Sequence, residues 1–177
     1  MKIVETRALR GPNYWSNRRH QLILMRIDLE EMEHYPSNTV PGFPERLHHL
    51  IPSLHEHRCS RGYEGGFLER LQEGTWMGHI MEHVALEIQV LAGMPCGFGR
   101  TQTDSPEGIY NVVFSYEVER AGVYAARAAF EIVRTMIAGE PYDIEKDIQK
   151  LREIREEERF GPSTASMSAR GVPPARS

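Results

Sequence analysis

The chain has 177 residues, of which 40% are hydrophobic and 26% charged, and its formal net charge is −4. This supplies one core with a solvated surface, and the acidic balance argues against a general nucleic-acid binder. No apolar run approaches the roughly 20 residues that span a bilayer, the N-terminus lacks the apolar segment of a signal peptide, and two cysteines make no disulfide framework, so a cytoplasmic protein with neither membrane nor nucleic acid as partner is expected.

Residues 1–9 alternate and read as a strand. Gly11 and Pro12 break the backbone, and residues 20–27 form a second strand apolar enough to be covered on both faces. Arg7, Arg10, Arg18, Arg19 and His20 gather basic charge here; they read as a solvated edge or as a grip on an acidic polymer. Asp28 can cap a short helix over 29–34. After a loop at 36–44, Leu47, Leu50, Ile51 and Leu54 recur at helical spacing over 45–57, where Pro52 must bend or split the helix. Residues 60–66 read as loop, and 67–71 as a short strand.

Thr75 opens the clearest helix as its N-cap. Met77, Ile80, Met81, Val84, Ala85, Ile88 and Leu91 line that helix, and Gly93 ends it. The Gly- and Pro-containing stretch 94–108 reads as loop, 109–118 as a strand, and 119–138 as a helix whose alanines allow close approach of a neighbour. Ile144, Ile148, Leu151 and Ile154 mark one stripe of a charged helix over 143–159. From Gly161 onward Gly, Pro, Ser and Ala dominate, which divides the chain into a domain at 1–160 and a flexible tail at 161–177. The order of elements predicts an α+β fold, with a small, mostly antiparallel sheet packed against helices.

Chemistry concentrates in His79-Ile80-Met81-Glu82-His83. Residues four apart share a helix face, so the two imidazoles can meet one ion. Two imidazoles and a carboxylate suit zinc with a fourth position open, and Glu82 borders the same face as a general base. Composition alone yields roughly 0.04 chance occurrences of this pattern in such a chain. The plain alternative makes both histidines ordinary packed or surface side chains. The order His-x-x-Glu-His is similar to the inverzincin pattern. A third ligand at Glu87 would spread donors over about 12 Å of helix axis, so Glu87 reads instead as a carboxylate that orients a histidine. The inverzincin resemblance implies a third carboxylate from a later helix, and Glu119 is the candidate. Arg70 and Arg100 flank the motif helix and are candidates to bind a substrate carboxylate. His48, His49, His55, His57 and Cys59 form a cluster that could itself hold zinc, but they lack a partner pair at finger-like spacing and read rather as a surface or helix-end group.

The residues also resemble the N-terminal domain of cyanophycin synthetase. Leu9-Arg10-Gly11-Pro12-Asn13-Tyr14-Trp15-Ser16, Gly65-Gly66-Phe67-Leu68, Gly74-Thr75, the run from Gly78 to Glu87, Leu91-Ala92-Gly93-Met94-Pro95 and Gly97-Phe98-Gly99-Arg100-Thr101 carry the likeness. Gly161-Pro162-Ser163-Thr164 resembles the family's linker. The resemblance implies an enzyme that polymerises aspartate and arginine with ATP. Its N-terminal domain holds the polymer and in some members resembles a zinc peptidase that cuts polymer into primers. It further implies cyanophycin and the ligase domains, in cis or trans, as partners, and a homo-oligomer. No Gly-x-x-x-x-Gly-Lys-Ser/Thr loop is present, so this chain alone is expected neither to bind ATP nor to ligate.

Overall fold

The computed structural model describes residues 1–10, 21–104 and 106–160. The expectations for Arg18, Arg19, His20 and the tail at 161–177 therefore lie outside the described residues.

Four strands form one antiparallel sheet in the order β1-β2-β4-β3: β1 (Lys2–Leu9), β2 (Leu22–Asp28), β3 (Gly99–Asp104) and β4 (Ile109–Ser115). The α+β architecture read from the sequence is the one observed. Successive side chains of a strand point to opposite faces, and β2 obeys this with both faces covered. Its Ile23, Met25 and Ile27 join the main core with Val112 and Phe114 of β4, whereas Leu22, Leu24 and Val113 form a second cluster on the other face.

Five α-helices complete the described chain: α1 (Phe43–Leu50), α2 (Gly66–Glu73), α3 (Met77–Leu91), α4 (Glu119–Ala138) and α5 (Ile144–Phe160). Helix α3 lies between the sheet and the other helices, in contact with β3, β4, α4 and α5. Its partner α4 turns Ala121, Ala125, Ala126 and Ala129, all fully buried, into the core. Small residues at that seam let two backbones come close, as the sequence implied. None of the described helices is long and apolar enough to cross a membrane.

Several elements differ from the sequence reading, each for a local reason. Helix α1 begins at Phe43, with Pro44 in its first turn where a missing N–H is harmless. Pro52 then splits the expected helix, and the rest is a 3-10 turn at Pro52–Glu56. The stretch expected as a strand at 67–71 is helix α2, because Phe67 and Leu71, four apart and fully buried, share a helical face. The loop expected at 94–108 contains β3, a polar edge strand whose residues carry no apolar period. Strand β4 ends at Ser115 rather than at 118. Asp28 lies one residue before the cap position, Leu29, and its Oδ1 accepts the Glu30 N–H at 2.9 Å at the start of the 3-10 turn Glu30–His34.

Candidate metal centre

Helix α3 starts at Met77 with Trp76, not Thr75, at its cap position. This frees Thr75 for the site: its Oγ1 lies 2.9 Å from His79 Nδ1. One turn along α3, His83 Nε2 stands 3.1 Å from His79 Nε2. The two imidazoles therefore turn the same kind of nitrogen toward a common point, as their i, i+4 spacing requires.

The third donor comes from a different element. Pro52–Glu56 and a second 3-10 turn, Cys59–Arg61, run alongside α3, and the Cys59 Sγ lies 3.1 Å from His79 Nε2. Cys59, His79 and His83 each offer one donor atom, and the three atoms lie within 4.8 Å of one another. Donors about 2.0–2.3 Å from a tetrahedral zinc stand roughly 3.3–3.6 Å apart, so the two 3.1 Å separations from His79 are a few tenths of an ångström from that geometry. A thiolate with two imidazoles is a donor set that zinc takes in catalytic sites while keeping a position open. Cys59 also holds a left-handed backbone, φ 56°, which is costly for a residue with a Cβ. The residues present fit a zinc ion.

Glu119, expected as third ligand, is placed elsewhere. It begins α4 and its carboxylate accepts two bonds from Arg10, at 2.6 and 2.9 Å, in an exposed ion pair. That carboxylate is not among the donors that gather with His79 and His83. Glu87, expected to orient a histidine, lies against His57 rather than against His79 or His83. His57 Nε2 is 2.8 Å from Glu87 Oε1, and His57 Nδ1 is 2.8 Å from His83 Nδ1. The Ser53 hydroxyl donates to the other Glu87 oxygen in a very short contact. His48, His49 and His55 stay exposed, as expected, whereas His57 and Cys59 leave that surface group for the site.

Phe67, which the strand reading would have pointed elsewhere, underlies the cluster. Its ring stacks on His83 at 4.2 Å and meets His79 edge-on at 5.7 Å, while its N–H donates to the His57 carbonyl. Gly66 permits this approach, since a Cβ there would stand 2.3 Å from the Arg58 carbonyl oxygen.

Glu82, buried beside His83, accepts the Thr101 hydroxyl on Oε1 at 2.8 Å and has Oε2 3.6 Å from His83 Nε2. A Cβ on Gly99 would fall 2.6 Å from that Oε2, so β3 can pass the carboxylate only with glycine there. Burial raises Glu82 to about 7, against the opposing pull of the Thr101 hydrogen bond and of Arg70. Burial lowers His79 to about 4, helped by Arg70, and holds His83 well below the usual histidine range, helped by His79, His57 and Arg70. Both imidazoles are thus neutral, the form that binds metal.

A cavity of about 630 Å³ opens over this group, lined among others by Arg58, Arg70, Cys96 and Phe98. Arg70, at the end of α2, donates to Cys59 Sγ and to Ser60 Oγ, both at 3.3 Å. Arg100 is not on the cavity wall. Thr101 faces Glu82, so its neighbour Arg100 projects from the opposite face of β3, in register with Val113 of the second cluster. Thr101 and Arg58 carry no local signal for the site, and the cluster holding His57 and Cys59 carries none that links it to His79. Cys59 precedes His79 by 20 residues, and the fold alone joins them.

A family model for the cyanophycin synthase-like N-terminal domain matches residues 24–138. The chain is 53% identical over 180 aligned positions to a cyanophycin synthetase of Geminocystis herdmanii and 52% identical to one of Synechocystis sp., with 98% of this chain and 21% of each relative covered. A cyanophycin synthetase of Trichormus variabilis is 50% identical, with 98% of this chain and 20% of that relative covered. The chain thus spans about a fifth of the length of these curated relatives. It belongs to the cyanophycin synthase-like N-terminal domain family.

Proposed function

We propose that this domain is a zinc-dependent hydrolase that cuts the arginine-bearing poly-aspartate chain of cyanophycin, making the short pieces from which polymerisation starts. One observation carries the reading: Cys59, His79 and His83 converge on the floor of a cavity with the Glu82 carboxylate at their side. A zinc ion held by these three residues supplies Lewis acidity toward an amide carbonyl and toward water. Glu82 performs the proton movement. Thr101 occupies its Oε1, which leaves Oε2 to accept a proton from the attacking water and return it to the departing nitrogen. Arg70 and Arg58 orient the substrate. Among the described residues neither has a carboxylate partner, unlike Arg61, which binds Glu69 and Glu73. A substrate carboxylate beside the scissile bond completes them.

The test is incubation of cyanophycin with the zinc-loaded chain, followed by mass spectrometry of the products. Short peptides are expected from the parent chain. In Glu82→Gln the rate should fall by about 10²–10⁴-fold while zinc content is unchanged. A variant that cuts at the parent rate would overturn the mechanism.

The same two arginines favour a second reading, a domain that holds polymer for the ligase modules of a whole synthetase without cutting it. That reading requires polymer binding that survives chelation and weakens with salt, and no products from the parent chain.

A further inference from the structure

The two imidazoles of the cluster have different neighbours behind them, and the difference fixes where their protons sit. Behind His83 the line is His57, Glu87 and Ser53. An ionised carboxylate can only accept hydrogen bonds. Glu87, 3% exposed, takes the Ser53 hydroxyl on one oxygen, so His57 must direct its Nε2–H to the other. A His57 ring that carries a single proton then has a bare Nδ1, and this nitrogen faces His83 Nδ1 at 2.8 Å. His83 must therefore carry its proton on Nδ1, which leaves its Nε2 bare and aimed at the cluster.

Behind His79 stands a hydroxyl, Thr75 Oγ1, at 2.9 Å from Nδ1. A hydroxyl both donates and accepts, and it rotates to suit its neighbour. Two bare nitrogens 3.1 Å apart would repel each other, and His83 Nε2 is already bare. Without a cation, His79 relieves this by carrying its proton on Nε2 and donating it to His83, while Thr75 donates to Nδ1. With a cation, the His79 proton moves to Nδ1 and the Thr75 hydroxyl turns round to accept it.

We infer that the site pairs a locked ligand with a switchable one: His57, with Glu87 and Ser53 behind it, holds His83 permanently in the metal-ready tautomer, whereas His79 changes tautomer as metal arrives, through the Thr75 hydroxyl. His57 and Thr75 are positioning residues, acting through the histidines they touch. The inference rests on the zinc reading above, and its first readout does not need metal.

Nitrogen-15 NMR of the histidine rings distinguishes the two tautomers directly. In the metal-free chain, His83 should show an Nδ1 proton and His79 an Nε2 proton. After addition of one equivalent of zinc, His83 should be unchanged at Nδ1, and His79 should have its proton at Nδ1. An Nε2 proton on His83 in the metal-free chain, or a His79 tautomer that zinc does not change, overturns the inference. A second arm measures zinc affinity by chelator competition. His57→Gln retains an acceptor for His83 and a donor for Glu87, and should bind within about threefold of the parent. His57→Phe loses both and should bind about 10–100-fold more weakly, with an unchanged circular dichroism spectrum. Parent-like affinity in His57→Phe overturns the inference and leaves the zinc reading standing. A parent chain that takes up no zinc sinks the zinc reading and the switch together, but the Nδ1 proton on metal-free His83 is still tested.

Discussion

Helix α3 and the segment 52–61 meet at the Cys59–His79–His83 cluster as two different kinds of wall. The helix presents His79, Glu82 and His83 through local geometry, since residues three and four apart share one side. The facing segment has no long helix. It places Ser53, His57 and Cys59 by two 3-10 turns and a left-handed residue at Cys59. A regular element supplies donors whose relation is set by spacing, whereas an irregular one supplies partners whose relation is set by what it packs against.

Phe67 joins the two walls, and its loss should have the largest effect on stability. Removing a buried phenylalanine of this kind costs about 3–5 kcal/mol. Phe67→Ala should show this in urea unfolding, because the ring supports both imidazoles. A loss below about 1 kcal/mol would mean that the walls stand independently.

The next effect separates the irregular wall from a distant carboxylate. Cys59→Ala should weaken zinc binding by more than the roughly 10–100-fold typical of losing a ligand's outer partner. Gly99→Ala sharpens the regular wall and tests the proposed hydrolysis: the added methyl meets Glu82 at 2.6 Å and should displace that carboxylate while Cys59, His79 and His83 stay. Misplacement of a catalytic group by about 1 Å costs roughly 10²-fold, so kcat should fall by that order with zinc content constant. The smallest effects belong to Glu119→Ala. Zinc affinity should not change, and losing the exposed pair with Arg10 should cost at most about 0.2–1 kcal/mol.

These contrasts mirror what the sequence made legible. The His79–Glu82–His83 run, the central strand β2 and the alanine seam of α4 all follow from periodicity within one element. Helix α2 escaped because Phe67 and Leu71 show only one repeat of helical spacing, and β3 escaped because an edge strand carries polar side chains. Arg100, in register with Val113, lies on the other face of that strand from Thr101, because a shift of one residue on a strand changes the face. Local pattern marks Cys59 only as part of a His/Cys cluster and does not link it to His79 and His83. Its partners are 20 and 24 residues away, and the chain returns to them only after α2 is built beneath.

X-ray absorption at the zinc edge of the loaded chain tests the Cys59–His79–His83 centre most directly. One sulfur at about 2.3 Å and two imidazole nitrogens at about 2.0–2.1 Å are expected, with the sulfur lost in Cys59→Ala. A shell of nitrogen and oxygen alone in the parent chain would contradict it.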